Sequence, residues 1–510
     1  MPTPDSSIRK GRNVSTRGSR LALLLVGGIA IVTRLYELGD ESFSNDEAFS
    51  VAMARLPITE MVSKVRAEDV HPPLYYFILH FFIAFAGENE FSTRFLSVGL
   101  SLVFVFAVYV TLARMLDPPS GLLAAVLSAV SVLYIHYGQE SRSYTLLLLL
   151  TLVASYYAWQ TITSDALSVK VLYPLFAVLL LYTHNAACLV LAAHNLFFLV
   201  YLILTSERTP RRVTTWLTQQ GVIGLLYLPW FLVVLEQMKG FPHRSPPSLL
   251  EVADLTVNLI DSPAKVLAFA VIATLGILGM MSTMSPRRCP VESMPRRLRV
   301  VPAANSSANL LFFSVCATFP IVFAYAWSIL GLGARLFTIR ALIVTAPAVI
   351  ALVSWSLAHF VVPSTRVASV ILLLVMSLHD IAVYHSKSHR PPTRLLVELI
   401  NSDARRSDLI VVHAPYFHDT IFTVYNRRRD IPVLVLPPGG KGAWIGQVVH
   451  QSDIENLERR LVSYNRVWLL MGRSRDPGGL IKATIEAQFQ RRLERRVTDA
   501  EIVLYVRNHP

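Results

Sequence analysis

Asp46 and Glu47 stand side by side in Ser44-Asn45-Asp46-Glu47-Ala48-Phe49-Ser50, just beyond the first apolar run of the chain. A carboxylate beside a membrane surface is inexpensive only when solvated, and one so placed can take a proton from a hydroxyl nucleophile. The same residues also fit a simpler role, Asn45 or Asp46 capping an interfacial helix, and a cap does not exclude catalysis. Asp69-Val70-His71-Pro72-Pro73-Leu74-Tyr75-Tyr76 sets a histidine ahead of two prolines that start an apolar helix. Free backbone N–H groups and the positive dipole end suit an anion such as phosphate there; the plain alternative is a surface histidine before a helix-starting proline. A third cluster, His136 to Tyr144, is a polar island between two strongly apolar segments, containing Glu140, Arg142 and Tyr144. It reads as a pocket or as a Glu140–Arg142 interfacial pair. Arg94, Tyr182, His184, Asn185, Arg335 and Arg340 fall near the same ends of apolar segments. Each alone reads as a snorkelling residue, so their shared placement carries the argument.

The elements that must position these residues are membrane helices. The chain is 53% hydrophobic and 16% charged over 510 residues, with a mean hydropathy of +0.48, too apolar for a soluble enzyme of this length. Three cysteines, Cys188, Cys289 and Cys316, lie in or beside apolar segments and support no disulfide framework. The net charge of +13 fits lipid headgroups, phosphate substrates and topology signals better than nucleic acid, for which no binding motif is present.

The run Leu21–Leu38 follows a basic segment without a cleavage site and reads as a retained helix starting in the cytoplasm. Counting Pro72–Ala86 as a span would place the Arg208–Arg212 and Arg287–Arg299 clusters outside, against the positive-inside rule. Laying it in the interface turns every basic loop inward. Spans then follow at Phe95–Ala113, Gly121–Tyr137, Tyr144–Thr161, Val171–Thr183, Ala187–Leu204, Val213–Leu235, Pro263–Met281, Asn309–Leu330, Leu336–His359 and Val367–Tyr384, eleven in all. The expected architecture is an α-helical polytopic membrane bundle. Residues 1–20 form a cytoplasmic basic tail, 21–384 the transmembrane catalytic domain with an outer loop at 40–93 bearing interfacial helices, and 385–510 a small extracytoplasmic α/β domain.

In that tail, apolar runs Leu409–His413, Ile431–Leu436, Val467–Met471 and Glu501–Val506 read as strands. Thr393–Ser402, Ile454–Tyr464 and Leu480–Arg495 read as helices. Pro391-Pro392 marks a linker and Pro437-Pro438-Gly439-Gly440 a loop. Gly439-Gly440-Lys441-Gly442 lacks phosphate-loop spacing, Gly331-Leu332-Gly333 lacks a dinucleotide context, and no zinc spacing appears.

The Asp46-Glu47 pair, His71-Pro72-Pro73-Leu74, Gln139-Glu140-Ser141-Arg142-Ser143-Tyr144 and Arg340 opening a late helix together resemble the GT-C class of polytopic, lipid-linked sugar transferases. The resemblance covers roughly residues 20–385 and points to the branch around protein O-mannosyltransferases and bacterial aminoarabinose transferases. At His71 the likeness is nearer to the former, since the latter carry a lysine there. The resemblance implies inverting transfer of a sugar from a polyprenyl-phosphate donor to an acceptor hydroxyl on the extracytoplasmic face of a bacterial cytoplasmic membrane. It implies Asp46 as general base and Glu47 orienting the loop or acceptor. Arg94, Arg142, Arg340 and His71 hold the donor phosphate, with Arg335 as a further contact and Glu140, Tyr144, Tyr182 and His184 lining the pocket. No cofactor or metal is required by a displacement whose leaving group is already good. A competing reading, a lipid or polysaccharide transporter or flippase, calls for broken helices with ionisable residues near the midplane, often in repeated halves.

Overall fold

The computed structural model describes residues 6–205, 210–238, 246–271, 306–331, 336–359, 363–413, 418–437, 449–471, 479–497 and 500–508. Its chain divides into two compact units. The first comprises residues 1–36, 97–139 and 143–386; the second comprises 37–96, 140–142 and 387–510. The sequence drew its boundary at 384/385 and kept the first outer loop with the bundle. The structure instead groups that loop with the tail, through long-range ion pairs that local composition does not record.

Seven helices among the described residues are long and apolar enough to cross a membrane, and Pro118–Val130 with Val132–Gly138, bent by 61°, makes an eighth. Eleven had been expected. Leu167–Leu181 is an apolar helix of only 15 residues, whereas a hydrocarbon core takes about 20. The helix Ser6–Leu35 carries the first expected span as far as Leu35, with Arg20 and Arg34 flanking its apolar run. The run at 263–281 is described only as far as residue 271, as a helix. The basic loop 285–300 and Arg208 lie outside the described residues.

The bent pair shows how a break is kept satisfied in an apolar interior. A helix ending at Val130 leaves carbonyls without partners, and the fully buried Arg34 supplies them: its Nη2 donates to Ser128 O and its Nη1 to Ala129 O, both at 2.9 Å, while Nε donates to Ser101 Oγ at 2.8 Å. The next helix begins at Val132, and Asp261 Oδ1 caps it by accepting from Leu133 N at 2.8 Å and Ser131 Oγ at 3.0 Å. Asp261 is in turn paired with Lys265 at 2.9 Å, and Lys265 with Asp380 at 3.0 Å. A cation at the carboxyl end and a carboxylate at the amino end match the helix dipoles. Arg34→Leu is therefore expected to destabilise the protein by about 2–4 kcal/mol, read as a lowered unfolding midpoint in detergent, because several buried carbonyls lose their donor at once.

The second unit joins three helices of the outer loop, Asn45–Ala54, Ile58–Glu68 and Leu74–Ala86, to the α/β tail. Leu74–Ala86 is apolar but has 13 residues, too few to span. The tail carries strands β1 (Leu409–His413), β2 (Val433–Leu436), β3 (Arg466–Met471), β4 (Phe489–Val497) and β5 (Ala500–Arg507), in the order β2-β1-β3-β5-β4. β1 is parallel to β2 and β3, and β5 is antiparallel to β3 and β4. Helices Gln451–Leu461 and Leu480–Glu486 cover one face of the sheet; Thr393–Asp403 and His418–Tyr425 cover the other.

The expected helix Leu480–Arg495 is a correction: it ends at Glu486, and Phe489–Val497 is a strand. Its sequence, FQRRLERRV, is charged enough to pass for a solvated helix. Pairing with β5 and cross-strand bonds such as Arg496 to Glu501 at 2.9 Å override that propensity, and the charges protect an edge strand from further pairing. The loop after Pro437 lies outside the described residues.

Candidate active site

The helix Asn45–Ala54 begins with a capping box. Ser44 Oγ accepts from Glu47 N at 3.2 Å and Glu47 Oε2 accepts from Ser44 N at 2.9 Å, the reciprocal pairing that a Ser-x-x-Glu sequence makes. The cap expected at Asn45 or Asp46 is thus one residue earlier, at Ser44. Glu47 also accepts from Arg94, Nε to Oε1 at 2.8 Å and Nη2 to Oε2 at 3.0 Å, and is fully buried. Ser141 N reaches Oε1 at 3.1 Å, and Arg390 Nε lies 2.9 Å from Oε2. Burial pushes the Glu47 carboxyl up, but the charges of Arg94 and Arg390, with the hydrogen bonds from Arg94 and Ser44, overcome it and hold it at about 2.

Arg94 is committed as thoroughly as its partner. Its Nη1 donates to Leu38 O and Glu41 O and its Nη2 to Ser42 O, all at 2.9 Å, so together with the two bonds to Glu47 every N–H of the guanidinium is engaged. The expected phosphate contact at Arg94 is thereby replaced by a loop-shaping one. Arg390 adds Glu41 Oε2 at 3.0 Å. Nearby, Tyr425 Oη accepts from Phe43 N at 2.6 Å and donates to Glu90 Oε1 at 2.7 Å, and Arg394 Nη1 meets the same oxygen at 2.9 Å. The helix His418–Tyr425 packs Ile421 against Phe43, Ala48 and Val51.

Asp46 sits one residue before Glu47 on the same helix, half-buried where Glu47 is enclosed. Its backbone oxygen accepts from Ser50 Oγ at 3.0 Å and from Arg142 Nη1 at 3.3 Å. Arg142 Nη1 also reaches Ser50 Oγ at 3.1 Å and Tyr76 Oη at 3.2 Å. Tyr76 donates to Asp69, whose other oxygen accepts from Val70 N at 2.7 Å, with the backbone of His71 adding a further bond. Burial pushes the Asp69 carboxyl up against the opposing pull of Arg142 and Tyr76. The short polar turn therefore delivers Ser141 to Glu47 and Arg142 to the Asp46–Ser50 turn, with Glu140, the residue before them, also buried. His71 is half-buried, two residues beyond Asp69 and three before the helix Leu74–Ala86.

Three further expected residues gather in the first unit. The exposed Arg340, in the short helix Ile339–Leu342 capped by Thr338, holds its guanidinium 6.0 Å from the centre of the buried Tyr144 ring. Tyr144 lies 5.8 Å from the His184 ring, and His184 Nδ1 accepts from Ala186 N at 3.0 Å. Tyr182 turns elsewhere, donating to Leu226 O at 3.1 Å with its ring beside Tyr227. Arg335 lies outside the described residues.

Sequence reading did not single out Asp69, Tyr76 or Arg390. The first two stand inside the histidine–proline motif, where the eye falls on His71, and a carboxylate before a buried helix start is itself a signal. Arg390 adjoins Pro391-Pro392 and carried only the signature of a linker.

Residues 70–233 match the family described as dolichyl-phosphate-mannose-protein mannosyltransferase. The matched segment includes His71, Arg142 and Tyr144 but neither Asp46-Glu47 nor Arg340. No curated protein matches the sequence in a direct comparison. Among solved structures, the fold is similar to that of ArnT from Cupriavidus metallidurans in the apo state, with a TM-score of 0.62 and 13% identity over 94% of this chain and 97% of that one. The same protein bound to undecaprenyl phosphate gives 0.61 and 12% over the same shares. The archaeal oligosaccharyltransferase AglB from Archaeoglobus fulgidus, in complex with an inhibitory peptide and a dolichol-phosphate, gives 0.50 and 12% over 89% of this chain and 69% of that one. Residues 70–233 are thus similar in sequence to that mannosyltransferase family, and the chain shares a GT-C-type fold along nearly its whole length.

Proposed function

We propose that the protein transfers a sugar from a polyprenyl-phosphate donor to an acceptor hydroxyl on the extracytoplasmic face of a bacterial cytoplasmic membrane, with inversion. The acceptor O–H gives its proton to the Asp46 carboxylate as its oxygen bonds to the anomeric carbon. The bond from that carbon to the phosphate oxygen breaks, and polyprenyl phosphate leaves. The carrying observation is the contrast within the acidic pair: Glu47, saturated by two guanidiniums and two backbone N–H groups, has no lone pair left for a substrate proton. Its neighbour Asp46 stands half-buried on the turn that Arg142 braces. Undecaprenyl phosphate and dolichol-phosphate, bound in the structures of similar fold, support the donor class.

The departing phosphate calls for cations, and we assign His71 and Arg142 to it, with Arg340 from the resemblance. Arg94 and Glu47 hold the loop. Arg142→Lys is expected to lower kcat about a hundredfold, since the shorter side chain draws its charge back from Asp46 O, Ser50 and Tyr76, all of which Nη1 reaches. The transporter reading called for a broken helix, and one is present; but Arg34 and Asp261 close its free backbone groups, where a transported substrate would need them open.

The deciding experiment is an in-membrane assay with polyprenyl-phosphate sugars. Turnover by the intact protein and its loss in Asp46→Asn are expected; no turnover of any such donor would remove the assignment. Orientation is checked separately. In a Cys188→Ser, Cys316→Ser background, the exposed tail residue Val462, changed to Cys, should react with a membrane-impermeant maleimide from outside, and Cys289 of the basic loop only after permeabilisation. Labelling of both from one side would overturn the topology.

A further inference from the structure

Helices Leu167–Leu181 and Pro210–Met238 enclose a groove of about 670 Å³ well removed in sequence from the acidic loop. Its chemistry is split along its length. Lys170, Arg211, Thr214 and Thr218 line one end; Val222 and Leu226 line the other. Val171, Leu175 and Leu226 are 57%, 46% and 53% exposed, apolar surface without protein cover among the described residues, so lipid is the medium the groove opens to.

Gln219 gives the groove a specific demand. Pro174 has no N–H, so the carbonyl one turn back, Lys170 O, loses its helical donor. Gln219 Nε2 reaches that oxygen at 3.3 Å and Thr161 Oγ1 at 3.5 Å. That orientation fixes the amide and leaves Gln219 Oε1, on a side chain 3% exposed and lining the groove, without a partner among the described residues. An acceptor buried without a donor is costly. Lys170 and Arg211 bring positive charge to the same end; among the described residues Arg211 is opposed by Asp165, at 3.8 Å, with both side chains mostly exposed.

We propose that this groove binds an anionic phospholipid whose headgroup carries hydroxyls, a phosphatidylglycerol-like molecule. Its phosphate meets Lys170 and Arg211, a headgroup hydroxyl donates to Gln219 Oε1, and an acyl chain lies along Val222 and Leu226. On the positive-inside reading both cations stand at the cytoplasmic ends of their helices, so the lipid comes from that leaflet.

The test is native mass spectrometry of the full-length protein in detergent with phosphatidylglycerol, phosphatidylcholine or inorganic phosphate added. Phosphatidylglycerol should be retained over phosphatidylcholine, and inorganic phosphate should not compete it off. The Lys170→Gln, Arg211→Gln variant should bind it about 30-fold more weakly, since each cation near a lipid phosphate contributes a several-fold factor. Thr218→Val, a milder change on the exposed face, guards against misfolding of the double variant and should weaken retention selectively. Equal retention of the two lipids, unchanged retention in the double variant, or displacement by inorganic phosphate would each overturn the site. Sugar transfer by these variants should stay at the wild-type level, so a negative result here leaves the catalytic reading standing.

Discussion

Asp46→Asn is expected to lower kcat by roughly a hundredfold to ten-thousandfold while leaving the unfolding midpoint and donor binding close to wild type. The asparagine keeps the size of the side chain and its place on the capped first turn, and the Asp46 backbone oxygen, which accepts from Ser50 and Arg142, is untouched by the change. On the proposed mechanism, what is lost is the proton acceptor. Retained donor binding, measured by protection from thermal unfolding with polyprenyl phosphate, separates a lost base from a lost pocket. A variant that transfers sugar at the wild-type rate would transfer the role to another group.

Glu47→Gln is expected to act in the opposite way, lowering stability by about 3–5 kcal/mol, because it leaves the buried Arg94 without its counter-charge and Arg390 with Glu41 alone. Activity falls with the fold rather than ahead of it. The pH dependence gives an independent check. Glu47 lies at about 2 when folded and near the ordinary carboxylate value, about 4.3, when unfolded. A folded value below the unfolded one means that its stabilisation is complete above that ordinary value and is lost as pH falls from there toward 2. Wild type should lose stability through that window and Glu47→Gln should not show this component. Parallel curves would mean that the two guanidiniums do not depend on the charge.

The sequence showed much of this arrangement and missed its logic. Apolar runs of membrane length, the basic loops between them and the β-rich runs of the tail were legible because each is a local pattern. The strand Phe489–Val497 was not, since its charges favour an exposed helix until β5 supplies a partner. In the site, the Asp-Glu pair, His71 and the Gln139–Tyr144 turn stood out as ionisable groups where a membrane protein has few. Which acid is enclosed and which half-open could not be read, because Glu47 is enclosed by Arg94 and Arg390, one on the next long helix and one beyond the last. Arg390 looks like linker for the same reason: its partner is hundreds of residues away.

That distance carries a consequence for biogenesis. Glu41 and Arg390, which join in the clamp around the acidic loop, are 349 residues apart. At a synthesis rate of roughly 5–20 residues per second, the loop waits roughly 20–70 s after its own synthesis before its second guanidinium is made. A chain that ends between the first apolar segments and position 390 therefore holds Glu47 with Arg94 alone.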